Sequence, residues 1–260
     1  AQLWLNDGDV DKATAQLERV VNADPAIQAA AMLLANIYVQ KDRSADAEAV
    51  LIKAIANSKD PISLQTRLAA FYSRWQQLDR AEEVLRRIVN DNPDEISYRV
   101  SLASFLAQSE QLEKAEKVLR ELIAADPEDI QRYLLLTEFI ATKHSKDAAI
   151  AELKKFIEAN PEITDLLLAL PRLYLANDQK VEAKRTLNDI IEAQGTQPAG
   201  IKARVGLAQM LANENPGSRQ ARALVEDVLQ ANPRDNDALL VTVKFAVSGG
   251  AYGDPGIEYG

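Results

Sequence analysis

Apolar residues along this chain recur three and four positions apart, which is the spacing that buries one face of an α-helix. One such run joins Ala81, Leu85 and Ile88, and the same spacing follows Ala115. Polar and charged residues fill most of the positions between them. The pattern predicts an all-α chain built from amphipathic helices. Oppositely charged pairs four residues apart suit the solvated faces of these helices: Glu82 with Arg86, Glu83 with Arg87, Glu113 with Lys117, and Glu116 with Arg120.

Seven of the ten prolines recur at intervals of 32 to 37 residues, and they are Pro25, Pro61, Pro93, Pro127, Pro161, Pro198 and Pro233. Five of them follow an alanine by twelve positions, and these alanines are Ala13, Ala81, Ala115, Ala149 and Ala221. Proline lacks an N–H and disfavours helical geometry in the preceding residue, so each one ends the helix that its alanine begins. A shared register at this period indicates a repeat architecture.

A second helix precedes each of these helices. This helix contains an apolar residue directly followed by a small one, and a large residue three positions after the small one. Examples are Leu34, Ala35 and Tyr38, and Leu68, Ala69 and Tyr72. At a small residue two helices can approach closely, and the large residue fills the space beside it. Each unit is therefore predicted to be an antiparallel helix pair.

The 34-residue period with its small, aromatic, alanine and proline positions resembles the tetratricopeptide-repeat (TPR) signature. The resemblance covers about residues 1–247. It implies an all-α, right-handed α-solenoid of about seven helix-turn-helix units plus a terminal helix. The implied ranges are a partial repeat over 1–27, repeats over 28–61, 62–95, 96–129, 130–163, 164–198 and 201–234, and a capping helix over 235–247. Ala or Thr usually replaces the family's small glycine, and the first-helix Trp is mostly absent.

The first and last residues of the chain each support a prediction. In this register Ala1 falls near the middle of a first helix, with Trp4 at the aromatic position and Gly8 in the following turn. Because a half-helix cannot cap a hydrophobic stack, we expect the native protein to continue upstream. At the other end, residues 248–260 hold five of the ten glycines. This segment is predicted to be a flexible tail.

Charge and composition limit the classes of molecule that are expected to bind this chain. The chain has 30 basic and 39 acidic residues, and its formal net charge is −9. Nucleic acid and anionic lipid both require a positive footprint, so another protein is the expected partner. No apolar run is long enough for membrane insertion. The absence of cysteine suits cytosol and periplasm alike.

Catalytic chemistry has little support. The one histidine, His144, is predicted to lie in a turn beside Lys143 and Lys146, without a second histidine or a cysteine to share a metal. Glu82 and Glu83 are adjacent and so point about 100° apart around a helix. Phosphate-binding loops and nucleophile motifs are missing. We expect no catalytic residue, no metal site, no cofactor and no enzymatic activity.

Pro171 is a local anomaly, because it falls inside the predicted first helix over 166–176. It removes the backbone hydrogen bond to the Leu167 carbonyl, which costs about 3 kcal/mol in an ordinary helix interior. We predict a kink there. The kink either adjusts the groove of the repeat stack or is a tolerated irregularity.

In TPR proteins the first helix of each unit lines the concave groove, and the resemblance implies the same here. The candidate groove residues are Met32, Asn36, Gln40, Thr66, Arg67, Arg74, Val100, Ser104, Gln108, Leu134, Glu138, Leu168, Arg172, Gln209 and Asn213. Val205 extends the apolar row, whose members fit either the groove or the inter-repeat core. Asn36, Arg67, Arg74 and Arg172 match only part of the clamp with which some TPR domains hold chaperone C-termini, which disfavours that ligand.

The resulting hypothesis is a non-catalytic scaffold that binds a partner peptide or amphipathic helix in the groove, within a longer bacterial protein. The alternative is an accessory or regulatory region of a larger enzyme, porin or lipoprotein machine. Self-association is a third hypothesis. The leucine-rich repeats also resemble long bacterial arrays of cell-envelope and exopolysaccharide-export systems, which favours periplasm or envelope over cytoplasm.

Overall fold

The computed structural model describes the backbone of residues 9–249 and the side chains of residues 9–245. Within that range the chain forms fourteen helices and no strand, so the all-α prediction is confirmed. The chain divides into two compact units, the first ending at Leu122 and the second beginning at Ile123. The handedness of the repeat stack stays a prediction.

The first unit holds α1 (Val10–Ala23), α2 (Gln28–Gln40), α3 (Ser44–Asn57), α4 (Ile62–Arg74), α5 (Leu78–Asp91) and α6 (Ile96–Gln108). Helix α7 (Leu112–Ala125) crosses the boundary between the units. The second unit continues with α8 (Ile130–Lys143), α9 (Lys146–Ala159), α10 (Asp165–Ala176), α11 (Lys180–Gln194), α12 (Pro198–Glu214), α13 (Arg219–Ala231) and α14 (Asn236–Gly249). Three-residue turns, such as the one between Gln40 and Ser44, bring successive helices back antiparallel.

Two predicted boundaries were wrong. Helix α12 begins at Pro198 rather than at 201, because proline lacks the N–H that the first helical position leaves unbonded. Helix α14 includes Ser248 and Gly249, which the sequence placed in the tail. The rest of the tail, and the predicted first-helix fragment with Trp4 and Gly8, lie outside the described residues.

The alanine register forms the centre of each helix pair. Four of the predicted alanines lie in a series spaced by 34 residues, which the structure extends with Ala47 and Ala183. All six are 0% exposed, and they are Ala13, Ala47, Ala81, Ala115, Ala149 and Ala183. In the first unit Ala47 and Ala81 pack in a core with fully buried leucines such as Leu34, Leu51 and Leu64. A methyl side chain lets the paired helices approach closely, so each larger residue opposite it can fill the gap.

The turns between paired helices contain a feature that the sequence analysis missed. Asp42, Gln76, Glu110 and Asp178 all adopt a left-handed backbone, with φ of 56°, 58°, 60° and 57°. The next residue's N–H then bonds a carbonyl in the last turn of the first helix, as from Gln111 N to Leu106 O at 2.9 Å. This is the Schellman ending, in which glycine is the usual left-handed residue.

Polar contacts join successive repeats in the first unit. Tyr38 Oη donates to Glu18 Oε1 at 2.7 Å, and Tyr72 Oη donates to Glu48 Oε1 at 3.1 Å. Burial, together with the hydrogen bond to Glu18, raises the pKa of Tyr38 to about 12. The Arg80 guanidinium hydrogen bond holds the pKa of Glu48 below its usual value against the effect of burial, with further help from Tyr72.

Glu82 departs from its predicted solvated position. The i,i+4 partner is present, with Arg86 Nε 2.8 Å from Glu82 Oε1, but the Glu82 side chain is only 9% exposed. Its other oxygen accepts from Lys114 Nζ at 2.9 Å, in the next repeat. Burial raises the pKa of Glu82, but hydrogen bonds from Lys114 and Arg86 outweigh that effect and leave the pKa lowered. Glu82 is therefore an inter-repeat contact.

In the second unit, α10 continues from Asp165 to Ala176 with Pro171 buried inside it. The kink at Pro171 stays a prediction. The insertion before α12 is held by Gly195, whose φ of +52° favours glycine, and its carbonyl accepts from the Arg204 guanidinium. A side chain at Gly200 would collide with that same carbonyl. These two glycines fix the entry into α12.

Candidate functional site

Three of the predicted groove residues line one pocket, which lies between the first helices α2 and α4. Asn36 comes from α2, and Arg67 and Arg74 come from α4. The pocket has a volume of about 210 Å³. The rest of its lining is apolar and consists of Ala35, Val39, Leu51, Ala70 and Phe71. Residues that belong to different repeats in the sequence thus share a single site.

Helical spacing explains why these side chains meet. On α4, Arg67, Ala70 and Arg74 follow one another at intervals of three and four residues, so they form one stripe along the helix. The opposite stripe of α4, which includes Leu64 and Leu68, is buried in the core and fixes the orientation of the helix. Ala70 is small, so it leaves the space between the two arginines open.

The walls and floor of this pocket differ in polarity. Arg67 and Arg74 are exposed, whereas Leu51 is 1% and Phe71 is 6% exposed. Within the part of the chain that the structure describes, neither arginine forms an ion pair. The pocket therefore offers two guanidinium groups above an apolar floor. Guanidinium groups recognise carboxylates through paired, charge-assisted hydrogen bonds.

Charge is segregated between the helices of the first unit. The three first helices α2, α4 and α6 carry Arg67, Arg74 and Arg99 and contain no Asp or Glu. Acidic residues lie on the second helices, for example Glu48 on α3 and Glu83 on α5. In a protein with a net charge of −9, the first helices of this unit thus form a basic surface.

An aromatic residue missed by the sequence analysis lies next to the pocket. Trp75 directly follows Arg74 at the end of α4, is 37% exposed, and has its ring centroid 6.3 Å from that of Phe71. Phe71 lines the pocket, so Trp75 places an exposed apolar ring beside one of the lining residues. The sequence could have indicated this residue, because Trp75 lies at the end of a helix and not at the aromatic position that the repeat buries.

The other candidates in the first unit do not line this pocket. Gln40, Thr66, Ser104 and Gln108 are exposed, whereas Met32 and Val100 are half-buried. Met32 packs against the core of the unit. For Met32 the core interpretation of the apolar row is therefore supported over the groove interpretation.

The candidates of the second unit are divided in the same way. Glu138, Arg172 and Asn213 are exposed, whereas Leu134, Leu168 and Gln209 are half-buried. Leu168 packs against the core. Val205, the last member of the apolar row, is a buried core residue at 5% exposure, so for Val205 too the core interpretation is supported over the groove interpretation. Its side chain packs with the helices that follow it in the chain.

A second pocket, of about 620 Å³, lies in the second unit beside the turns that precede α8 and α10. No pattern in the sequence predicted this pocket. Its charged lining residues are Glu128, Glu162 and Asp165, and Asp165 pairs with Lys202 at 2.9 Å. The pocket is therefore acidic, in contrast to the basic pocket between α2 and α4.

Among the described residues, no group of three or more His, Asp or Glu side chains is placed to hold a metal ion. His144 is exposed, and its ring lies edge-on to Phe139 at a centroid distance of 6.4 Å. Over residues 9–249, no helix has the length and apolar character needed to cross a bilayer.

Comparison with known proteins points to one family. The tetratricopeptide repeat matches residues 1–61 and, separately, residues 76–138. One similar solved structure is a tetratricopeptide repeat protein from Parabacteroides merdae, which is 13% identical, with 94% of both chains covered and a TM-score of 0.41. Another is a thermophilic TPR protein of Thermus thermophilus, 20% identical over 71% of this chain and 96% of the other, also with a TM-score of 0.41.

No curated protein sequence matches the chain. The two repeat matches, together with the paired helices and the 34-residue alanine register, carry the family assignment. The narrower resemblance to bacterial envelope and exopolysaccharide-export arrays stays a prediction.

Proposed function

The chain is a tetratricopeptide-repeat protein, and we propose that it is a non-catalytic scaffold that binds an acidic segment of a partner protein between α2 and α4. Tetratricopeptide repeats generally mediate protein–protein interactions, and proteins built from them are typically non-catalytic scaffolds. The observation that carries the proposal is the pocket in which Asn36, Arg67 and Arg74 surround an apolar floor.

The charge of the surface selects the partner. Arg67 and Arg74 have no acidic partner in the described part of the chain, and the first helices around them carry no Asp or Glu. A carboxylate bound there gains charge-assisted hydrogen bonds and meets no like charge on these helices. Asn36 adds an amide that can donate to a peptide carbonyl or accept from a peptide N–H.

The size of the pocket limits what enters it. Pockets for whole small-molecule ligands usually measure about 300–1,000 Å³. At about 210 Å³ this pocket suits one or two side chains of a longer ligand. A peptide or helix that lies along α4 satisfies this limit, since most of its length stays outside the pocket.

The spacing of the arginines predicts a motif in that ligand. Arg67 and Arg74 are seven residues apart, which is about 10 Å along a helix axis. An extended peptide covers about 10 Å in three residues. The proposed motif is therefore two acidic residues three positions apart in an extended segment, with an apolar residue between them for the Phe71 and Trp75 surface.

Selection from a library of random twelve-residue peptides tests the proposal. The native chain should enrich paired Asp or Glu residues three positions apart. The Arg67→Gln/Arg74→Gln variant should lose this enrichment, since it keeps the pocket's shape and removes both charges. Arg172→Gln, an exposed first-helix arginine of the second unit, is the matched control and should select as the native chain does. Selection of neutral peptides by the native chain would refute the acidic-partner proposal.

A further inference from the structure

The outward face of α14 is apolar. Leu239 is 40%, Leu240 is 61% and Val243 is 56% exposed. Eight large hydrophobic residues are exposed among those that the structure describes, and three of them lie on this one helix. Isolated exposed apolar residues are common on soluble proteins, but a stripe of three on one helix face indicates an interaction surface.

The opposite face of α14 is packed. Ala238, Val241 and Phe245 are buried in a core with residues of α12 and α13, including Val205 and Val225. Other first helices have a helix on each side, as α4 has α3 and α5, or α10 has α9 and α11. Over the described residues α14 packs on α12 and α13, and its exposed stripe is left without a covering helix.

Two opposite charges border the stripe on the same side. Asp237 and Lys244 are exposed, and a separation of seven residues places them about 20° apart around the helix axis. Neither forms an ion pair with the described part of the chain. The apolar stripe is thus accompanied by one acid near the start of the helix and one base near its end.

We propose that α14 packs antiparallel against α14 of a second copy of this chain, about a two-fold axis beside Leu240. In an antiparallel helix pair the same flank of each helix meets its counterpart, so Asp237 faces Lys244 of the second copy, and Lys244 faces Asp237. The two Leu240 side chains then meet at the axis, and Leu239 lies beside Val243 of the other copy. One surface is therefore complementary to itself in both charge and shape, as a two-fold interface requires.

The size of the surface sets the strength of the association. Stable protein interfaces usually bury about 1,200–2,000 Å² in total, more than one pair of 14-residue helices provides. The dimer is therefore reversible and depends on concentration. It is independent of the peptide site, which lies in the other unit.

Sedimentation velocity of the full chain from about 1 µM to about 500 µM tests the proposal. The native chain should shift from monomer to dimer, and Leu240→Glu should weaken dimerisation at least about tenfold. Val181→Glu is the control, because Val181 is 76% exposed on α11, and it should leave the dimer unchanged. A native chain that is monomeric at every concentration would overturn the proposal. If removal of residues 250–260 then produced dimers, the tail would be the native occupant.

Charge reversal tests the antiparallel register. Asp237→Lys places lysines at both positions, and Lys244→Asp places aspartates at both, so each variant alone should be monomeric through repulsion. An equimolar mixture should form a heterodimer, because every facing pair is then opposite in charge. This rescue also shows that both variants are folded. A mixture that stays monomeric while the native chain dimerises would exclude the proposed pairing.

Discussion

Lys114 places its ammonium group 2.9 Å from a carboxylate oxygen of Glu82, which lies 32 residues earlier in the chain. The Glu82 side chain is 9% exposed and also accepts a hydrogen bond from Arg86. One buried carboxylate therefore pairs with two bases, Arg86 on the next turn of the same helix and Lys114 in the next repeat. The two bases are 50% and 44% exposed. This contact joins α5 to the following repeat.

Removing the charge of Glu82 should weaken the fold. Glu82→Gln keeps the shape but loses the charge-assisted hydrogen bonds, and we expect a loss of about 1–2 kcal/mol in the free energy of unfolding. The loss stays moderate because Lys114 and Arg86 can turn to solvent. Glu83→Gln is the control, since Glu83 is 74% exposed and its pair with Arg87 is long at 3.8 Å, so little change is expected. Equal effects in urea unfolding would contradict the buried role of Glu82.

The Glu82 carboxylate should also make the free energy of unfolding depend on pH. The pKa of Glu82 is lowered from its ordinary value of 4.5 by folding, so the folded chain favours the ionised form. Its stabilising contribution is therefore present above pH 4.5 and is lost as pH falls through the lower folded pKa. The stability difference between native and Glu82→Gln chains should shrink from about pH 7 to about pH 3. A difference that stays constant over this range would show that Glu82 contributes by shape alone.

The left-handed turn residues predict a stabilising change. Glu110 has φ of 60°, a conformation that costs a side-chain-bearing residue about 1–2 kcal/mol. Glu110→Gly should raise the free energy of unfolding by about 0.5–1 kcal/mol, after the greater freedom of glycine in the unfolded chain is subtracted. Ser109→Gly is the control, since its φ of −88° is ordinary, and it should destabilise. Destabilisation by Glu110→Gly would contradict the left-handed assignment.

The alanine register predicts a severe effect at one position and a mild one beside it. Ala47 on α3 is 0% exposed, so Ala47→Asp would bury an unpaired carboxylate and should cost about 3–5 kcal/mol. Ala49 lies two residues later on the exposed face of the same helix. Ala49→Asp should cost less than about 1 kcal/mol through helix propensity alone. Thermal melts of both variants, followed by circular dichroism, measure the difference.

Much of the helix pattern was readable from the sequence, because alanine and proline occupy local, periodic positions. Five of the seven periodic prolines lie two residues beyond the end of a helix, as Pro93 does after Asp91. The left-handed turns were not predicted, because Asp, Gln and Glu replace the glycine that would have marked them. The start of α12 was misplaced, because a proline ends one helix and begins another equally well.

The candidate site was predicted only in part. The resemblance to the repeat family named Asn36, Arg67 and Arg74 as separate groove candidates, but a whole second helix separates Asn36 from the two arginines in the chain. The pocket exists because α2 and α4 are brought side by side, which no local pattern records. The burial of Glu82 was missed for the same reason, since its second partner Lys114 lies in the next repeat.

Reversing the charge of the α2–α4 pocket tests whether that charge selects an acidic partner. Arg67→Glu/Arg74→Glu keeps the helix pair and inverts the sign of the pocket walls. In peptide selections run beside the native chain, the preferred motif should change from paired Asp or Glu to paired Lys or Arg. If both proteins selected the same acidic motif, or if neither selected any motif, the charge of the pocket would not select the partner.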